Sequence, residues 1–490
     1  MTLEDFLLEG AQPQYADAVR TIAERWSALF APQDLASLND ENLYATLTTR
    51  LEGDDIDDAV RLLVASDLNS LAWWRGPEVP PEVRTRLSRL TRSVLTRISD
   101  GLDMAPRQLP ASRLRRAHVL FVGTLMDPAH SPSGGAIDYA AALAMDPKVD
   151  RLEIVHSGHL TDPMRAYIRE RLGGFPASRG LAFISTVDNP DFLAGILGRG
   201  PCTFHVWCEP ALSPVISVAN RLGPTLMFTC ADEAPVQYAD VFWYYQTPET
   251  IRALWDLQGA PPAFAGNYVQ SLSGPCLDSP PPEPIPRPEV GLDPDAFVIA
   301  TVGNRLGVEM DEAFITGMEL AVRDQPNCVW MVVGGLPEYL SDACRQVLGH
   351  RFLHIPYASP LDRLMTTVDV FANPFRRGGG NSANLALGAG AAVLSLKFGD
   401  VSALIPESFI AETPEEYFRY LSFLIESPEL LSAVKAEQFQ HNARMRDQKA
   451  FLANLQKMVR LAGERYAARQ GGARLSDTVF APRGVLAAAI

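Results

Sequence analysis

The segment "FRRGGGNS", residues 375–382, combines three consecutive glycines with polar and basic side chains. Glycine backbone can approach an anion closely, and the N–H groups at a helix N-terminus favour negative charge. Arg376 and Arg377 add charge-assisted donors. We therefore predict a phosphate-binding segment, with a tightly packed strand-to-helix turn as the alternative. The predicted binding residues are Arg377, Gly378, Gly379, Gly380, Asn381 and Ser382.

Alternating strands and helices are expected to position this segment. Near-continuous apolar runs such as "AHVLFVG" (117–123) and "VFWYYQT" (241–247) are typical of parallel strands covered by helices on both faces. The alternation restarts at "FVIATVGN" (297–304), after a segment, 274–297, that contains eight prolines. The pattern predicts an α/β protein with two doubly wound, Rossmann-like domains, which bind ligands at the carboxyl ends of their strands.

The chain is expected to have four parts. Residues 1–112 form an all-helical domain, residues 113–280 the first α/β domain, residues 281–460 the second, and residues 461–490 a C-terminal helix and tail. An Asp-x-Asp sequence within 52–58 is predicted to open a helix rather than hold a metal, because acids favour the helix dipole there. Five arginines on one helix face are predicted to pair with nearby acids rather than with an anionic partner. They are Arg84, Arg86, Arg89, Arg92 and Arg97.

Composition narrows the function classes. A net charge of −15 and a pI near 5.1 argue against nucleic acid or an anionic membrane as the partner. Six cysteines without C-x-x-C spacing indicate reduced core thiols. The N-terminus is acidic and the longest apolar stretch is short, so we expect no integral membrane segment and a cytoplasmic location. Motifs of P-loop, serine hydrolase, zinc protease and dinucleotide-binding enzymes are absent from the sequence.

Three segments together resemble the GT-B glycosyltransferases, above all the O-GlcNAc-transferase-like and bacterial group 1-type enzymes. They are "FRRGGGNS" with the later "GAAVLSLKFGDVS" (390–402), "VIATVGNRLGVEMDEAFI" (298–315) and "HSPSGGAIDYAAALA" (130–144), within a resemblance that covers roughly 117–460. The resemblance implies that the second α/β domain binds a nucleoside-diphosphate sugar, with UDP-sugar favoured. The further donor-binding residues that it implies are Gly134, Gly135, Gly303, Asn304 and Tyr357.

The same resemblance implies roles in catalysis. Arg305 would stabilise the diphosphate leaving group, so that arginine and a helix dipole replace a metal, and no cofactor beyond the sugar nucleotide is expected. The acceptor must lose a proton as it attacks. The O-GlcNAc-transferase-like enzymes carry Asp and His in the loop after the first strand, where this chain has Asp127 and His130. His130 is the first candidate base and Asp127 the second, with Glu209 and Asp232 in reserve.

Several positions depart from the family pattern. The glutamate pair of the retaining enzymes is replaced by Arg377 and Leu385, and their lysine after the conserved arginine position by Met310. Cys208 and Cys230 occupy positions where these enzymes carry histidine. The departures favour inversion of the sugar's stereochemistry over retention.

Two other functions stay open from the sequence. One is a non-catalytic pseudo-glycosyltransferase, a partner or chaperone in a glycosylation complex, which Met310, Leu385 and Cys208 favour. The other is a sugar-nucleotide 2-epimerase, an enzyme class on a similar two-domain fold. A transferase would act on a protein or a cell-surface glycan, and the N-terminal helical domain would offer a surface for homo-oligomer formation.

Overall fold

The structure, a computed structural model, describes most of the chain in two compact units. The first unit comprises Met1–Gln270 with Leu452–Ile490, and the second comprises Ser271–Phe451. The described residues are 2–9, 16–39, 42–53, 56–75, 80–101, 116–125, 128, 131–157, 159–175, 179–185, 202–207, 214–229, 234–275, 282–358 and 360–471.

The first unit begins with a helical layer. Its helices are α1 Leu3–Leu8, α2 Ala16–Leu29, α3 Pro32–Ala36, α4 Leu43–Leu51, α5 Asp58–Arg75 and α6 Pro81–Gly101. Their apolar faces meet in one core around Trp26, which is fully buried. The Trp26 indole Nε1 donates to Asp67 Oδ2 at 2.9 Å, which joins α2 to α5 and satisfies a polar atom inside the core.

The arginine-rich face of α6 pairs within the layer. Arg86 Nη2 lies 2.5 Å from Glu52 Oε2, and Arg97 Nη2 lies 2.6 Å from Asp58 Oδ1. Acid pairing is therefore confirmed for these two arginines. Asp58 also begins α5, which confirms that the Asp-x-Asp region opens a helix.

A seven-stranded parallel sheet follows in the first unit. Its strands are β1 Ala117–Thr124, β2 Arg151–Ser157, β3 Gly180–Ser185, β4 Thr203–Trp207, β5 Thr225–Phe228, β6 Val241–Tyr244 and β7 Tyr268–Gln270. They lie in the order β3-β2-β1-β4-β5-β6-β7, and each neighbouring pair is parallel. The accompanying helices are α7 Ser131–Met145, α8 Asp162–Leu172, α9 Pro214–Leu222, α10 Pro248–Leu257 and α11 Pro262–Gly266.

The second unit holds a six-stranded parallel sheet. Its strands are β8 Phe297–Gly303, β9 Cys328–Gly334, β10 Phe352–Ile355, β11 Val370–Ala372, β12 Ala392–Leu396 and β13 Ile410–Ala411, in the order β10-β9-β8-β11-β12-β13. Its helices are α12 Leu306–Glu309, α13 Glu312–Arg323, α14 Glu338–Leu348, α15 Leu361–Met365, α16 Gly380–Gly388, α17 Gly399–Ser402, α18 Pro414–Glu426 and α19 Pro428–Met445. Two parallel sheets with helices confirm the predicted α/β class.

The last described helix, α20 Gln448–Gly471, continues across the 460/461 boundary expected from the sequence. Most of it belongs to the first unit. The Arg469 guanidinium there donates to both carboxylate oxygens of Asp240, at 3.1 and 3.0 Å. Asp240 is fully buried just before β6, so this pair fastens the helix to the amino edge of the first sheet.

Inside the first sheet, two histidines form a buried polar chain. His205 of β4 lies 2.8 Å from His118 of β1 and 2.7 Å from the Tyr139 hydroxyl of α7. Burial, followed by the neighbouring His118, lowers the pKa of His205 well below its ordinary value. His205 is therefore a satisfied polar group within the sheet.

Candidate functional site

The candidate site lies where the strand order of the second sheet reverses. β8 and β11 are parallel neighbours at its centre, although β9 and β10 come between them in the chain. Ligands bind beside the carboxyl ends of strands at such a switch point. The segments that leave these ends are Gly303–Arg305 after β8 and 373–379 after β11. The topology therefore brings two of the predicted donor-binding segments to one edge.

Glycines bring the backbones of β8 and β9 close together at this edge. Gly334 has φ +114°, and a Cβ there would collide with the Gly303 carbonyl oxygen. A Cβ on Gly335 would collide with the Asn304 carbonyl oxygen in the same way. The Gly335 amide donates to the Gly303 carbonyl at 2.9 Å. Sequence reasoning missed Gly334 and Gly335, although two glycines at the end of "CVWMVVGG" were a usable signal.

The turn after β11 also requires glycine. Gly379 has φ +106°, and a Cβ there would lie 2.6 Å from Asn373 Oδ1. Gly380 begins α16, as predicted, and a Cβ on it would lie 2.8 Å from the Asp400 Cβ. Gly378 faces open space. Two of the three glycines are thus explained by packing, and the third leaves the backbone accessible at the start of a helix.

Part of the signature "FGDVS" folds back against this turn. Gly399 has φ +77°, and a Cβ there would collide with the Arg377 backbone. The Asp400 amide donates to the Arg377 carbonyl at 2.7 Å. These contacts fix the backbone of Arg377 beside the glycine turn, so residues separated by some twenty positions in the chain form one structural element.

An ionic cluster stands beside the glycines. We call Arg305, Glu309 and Arg376 the Arg-Glu-Arg cluster. Arg305 Nη2 donates to Glu309 Oε1 at 2.6 Å, and Arg376 Nη1 donates to Glu309 Oε2. Burial alone would raise the pKa of the Glu309 carboxyl, but Arg376 and Arg305 outweigh it and hold that pKa below its usual value. Glu309 is therefore ionised at neutral pH. It was not among the residues expected at the site.

Arg376 serves the protein rather than an incoming anion. Its Nη2 donates to the Val302 carbonyl at 2.6 Å and its Nε to Asn373 Oδ1 at 3.0 Å, in addition to the bond to Glu309. The side chain is 7% exposed, against 24% for Arg305. The expectation that Arg376 adds a donor for phosphate is therefore wrong, because its guanidinium already donates to three acceptors within the second unit. Arg305 is the accessible cation of the cluster.

The remaining predicted residues of the second unit surround this edge. Asn381 is exposed, and Ser382 and Arg377 are half-buried. Tyr357 follows β10 and is 71% exposed. His354 of β10 lies 3.1 Å from the Gly334 carbonyl oxygen. Tyr357, like the glycine turn, therefore presents atoms to solvent beside a carboxyl end of the sheet.

Met310 directly follows α12, and its side chain is buried. It is 5% exposed and belongs to the apolar core of the second unit. The position where the resembling enzymes carry lysine therefore supplies packing here rather than charge. Leu385, in α16, is half-buried.

In the first unit, Gly134 and Gly135 lie in the first turns of α7 rather than in a loop. A Cβ on Gly134 would lie 2.7 Å from the Pro128 carbonyl oxygen, and one on Gly135 would lie 2.8 Å from the Trp207 ring. Trp207 Nε1 in turn donates to the Pro132 carbonyl at 2.9 Å. Close packing therefore accounts for both glycines, Gly134 against the Pro128 backbone and Gly135 against β4.

The candidate bases lie outside the described residues. These are Asp127 and His130, and the reserve residues Glu209 and Asp232; Cys208 and Cys230 lie outside as well. Among the residues that the structure describes, no three His, Cys, Asp or Glu side chains group as metal ligands would. In that same part of the chain, no helix has the length and apolar character needed to cross a membrane.

Comparisons with known proteins identify the fold through similar structures rather than similar sequences. No family model matches the chain, and no curated protein matches its sequence. Among solved structures, a point mutant of the O-GlcNAc transferase from Thermobaculum terrenum is similar with a TM-score of 0.57 and 14% identity, over 95% of this chain and 98% of that one. That share is too large to leave out the N-terminal helices.

A second similar protein is Anabaena HepE (Alr3699), solved in complex with UDP and in complex with UDP and glucose. Both structures have a TM-score of 0.51, with 12% and 13% identity. They match 70% of this chain and 99% and 98% of their own. Together with the two parallel sheets and their strand orders, these similarities show that the chain has a GT-B glycosyltransferase-like fold of two Rossmann-like units with added N-terminal helices.

Proposed function

We propose that the chain is a glycosyltransferase that transfers a sugar from a nucleoside-diphosphate sugar, with UDP-sugar favoured, to an acceptor. One observation carries the proposal. At the carboxyl edge of the second sheet, an accessible arginine stands beside glycine backbone and a helix N-terminus. This combination suits a diphosphate. The similarity to HepE, which was solved with UDP, supports a uridine nucleotide as the donor.

The donor is proposed to lie along this edge. Its diphosphate would contact Arg305 and the backbone of Gly303 and Asn304. A second set of contacts would come from Arg377 and from the start of α16, that is Gly378, Gly379, Gly380, Asn381 and Ser382. Tyr357 would offer a ring face to the base.

In the transfer, an acceptor oxygen or nitrogen forms a bond to the anomeric carbon while the bond from that carbon to the phosphate oxygen breaks. The nucleoside diphosphate leaves with an additional negative charge. Arg305 would stabilise that charge as it develops, which is the main electrostatic demand of the reaction. The acceptor's proton would pass to His130 or, failing that, to Asp127. Because arginine supplies the positive charge, we propose that no metal is needed. Because Arg377 and Leu385 replace the glutamate pair of the retaining enzymes, we propose that the reaction inverts the sugar's stereochemistry.

A donor panel tests the proposal. The purified chain is incubated with UDP-, GDP- and TDP-sugars, each with and without cell extract as a source of protein and glycan acceptors, and nucleotide release is measured. We expect release from a UDP-sugar, dependent on extract and unchanged by EDTA. Labelled sugar should then appear on a protein or on a cell-surface glycan.

Other results of the panel would contradict transfer. UDP and free sugar formed equally without acceptor would favour the epimerase class. Donor binding without turnover would favour a non-catalytic partner, for which Met310 in the core is a relevant observation because it removes a cation from the site. A chain that neither binds nor consumes any of these donors is not a sugar-nucleotide enzyme.

A further inference from the structure

The Arg-Glu-Arg cluster contains a carboxylate to which neither the sequence nor the family resemblance gives a role. We propose that Glu309 is a positioning residue, which holds the Arg305 guanidinium in the orientation needed for the transfer step. Glu309 then affects the rate of transfer more than the affinity for the donor. This inference rests on the proposed function, and its test is arranged so that failure of the inference can be told apart from failure of the proposed function.

The two oxygens of Glu309 have different partners. Oε1 accepts from Arg305 Nη2 at 2.6 Å, and Oε2 accepts from Arg376 Nη1. The Glu309 side chain is 12% exposed. A carboxylate that bridges two cations in this way cannot rotate without breaking one of the bonds, so its orientation is fixed.

Arg376 supplies the fixed end of the cluster. Its other donors reach the Val302 carbonyl of β8 and the Asn373 side chain after β11. Its guanidinium also fills the space beside Gly303, where a Cβ would collide with it. Arg376 is thus tied to both strands at the switch point, and Glu309 carries that restraint outward to Arg305.

The backbone places Arg305 and Glu309 on one helical turn. Arg305 precedes α12, and the Glu309 amide donates to the Arg305 carbonyl at 3.1 Å. An exposed pair at this spacing holds its side chains only weakly. Here the carboxylate is largely buried and anchored by Arg376, so the outer arginine is held more firmly than an ordinary surface ion pair would hold it.

Charge and orientation act in opposite directions on ground-state binding. The negative charge of Glu309 repels a diphosphate, whereas a well-oriented Arg305 attracts it. Removing Glu309 therefore has two opposing effects on donor affinity: it removes a repulsive charge and it loosens Arg305. We expect these two effects largely to cancel. In the transition state the leaving phosphate gains negative charge, and a well-oriented Arg305 then stabilises it more strongly than in the ground state. We therefore expect the loss of Glu309 to appear in kcat.

A double-mutant cycle tests this inference. Arg305→Ala, Glu309→Gln and the double variant are compared with the wild type for UDP affinity by calorimetry and for kcat of nucleotide release. Glu309→Gln is expected to lower kcat by about tenfold or more and to change the UDP Kd by less than about threefold. In the Arg305→Ala background the same change should cost less than about twofold, because a residue that acts through Arg305 has no effect once Arg305 is absent.

Asp369 provides a matched control at the opposite edge of the same sheet. Asp369 precedes β11, and its side chain is 15% exposed. It also bridges two cations, since its Oδ2 lies 2.7 Å from Arg287 Nη2 and its Oδ1 lies 2.9 Å from Lys435 Nζ. Asp369→Asn should lower the thermal stability as Glu309→Gln does, and it should leave kcat within about twofold of the wild type. Where Glu309→Gln does not fold, Glu309→Asp replaces it. The shorter side chain keeps a charge for Arg376 but cannot bridge both arginines, so kcat should still fall.

Different results would overturn the role of Glu309 and the proposed function. An equal loss of kcat from Glu309→Gln with and without Arg305 would mean that Glu309 acts through the fold, and it would overturn the inference. So would a wild-type kcat in Glu309→Gln or Glu309→Asp, although the proposed function would then stand. A wild-type chain that consumes no sugar nucleotide would overturn the proposed function and this inference with it.

Discussion

The two parallel sheets share one relative strand order but differ around their central strands. In the second sheet, β8 ends at Gly303 and the turn after β11 contains Gly378–Gly380, with the charged groups of Arg305 and Glu309 nearby. In the first sheet, β1 and β4 carry His118 and His205 inside the sheet, bonded to each other and, through His205, to Tyr139. Among the described residues, the second unit has charged groups at an edge that a ligand can reach, whereas the His118–His205 pair of the first unit is buried in the core.

The difference concerns charge as well as location. Glu309 stays ionised because two arginines hold its pKa below the usual value. His205 stays neutral because burial and then His118 lower its pKa. A buried neutral pair contributes to stability and has no charge for a phosphate, whereas an accessible cation beside bare backbone suits one. The sheets have similar topology, and their surroundings therefore indicate different roles.

The largest expected effect is at Arg305. Arg305→Ala should lower the rate of nucleotide release by about 100-fold or more, the magnitude typical of one lost transition-state donor. The measurement is kcat with the donor identified by the panel. Arg323→Ala, which removes an exposed arginine of α13 in the same unit, is the control and should change kcat by less than about twofold. A loss of less than about threefold at Arg305 would remove this arginine from the site.

A neighbouring glycine gives a second, smaller effect. Gly379→Ala forces a side chain into a left-handed conformation and against Asn373 Oδ1, so the turn must move. UDP affinity should fall about tenfold, which equals about 1.4 kcal/mol. Gly349→Ala imposes the same left-handed strain at φ +61° where a Cβ meets nothing within 4 Å, and calorimetry should find its affinity within about twofold of the wild type. Equal losses for both variants would contradict a specific role for the backbone at Gly379.

The smallest expected effect lies in the first unit. The unfolded chain binds a proton on His205 near its ordinary pKa of about 6.5, whereas the folded chain does not. Stability therefore falls as the pH falls below about 6.5, and the loss between pH 7.5 and 5.5 should be about 1 kcal/mol. Urea unfolding of the wild type and of His205→Gln measures this directly. His118 and Tyr139 face the same ring, so the difference in pH dependence between wild type and variant reports His205 together with the change it causes at His118.

The wild type and His205→Gln are also compared for UDP affinity. His205→Gln should leave UDP affinity unchanged, because the histidine chain lies in the first unit and carries no charge. A parallel pH dependence in wild type and variant would show that His205 does not set the acid sensitivity. A large loss of UDP affinity would contradict the separation of roles between the two sheets.

The sequence predicted the fold class, and it marked segments that the structure brings together at one edge of the second sheet. Apolar strands with helices between them indicated two doubly wound units, and "GGGNS" marked the start of α16 because glycine and helix-terminal groups are local signals. Arg376 was misjudged because its partner, Glu309, is 67 positions away in the chain. Their contact depends on β8 and β11 being neighbours, and periodicity does not give strand order. The packing role of Gly135 was missed because the Trp207 ring against it belongs to a strand that is distant in the chain.

The most direct test of the donor site is hydrogen–deuterium exchange with and without saturating UDP. If the diphosphate binds at the carboxyl edge of the second sheet, the amides of Gly303–Glu309 and Gly378–Ser382 should exchange more slowly with UDP bound. The amides that flank Asp369, at the amino edge of the same sheet, should not change. Saturating UDP that protects neither segment, or that protects only segments of the first unit, would contradict a donor site at this edge.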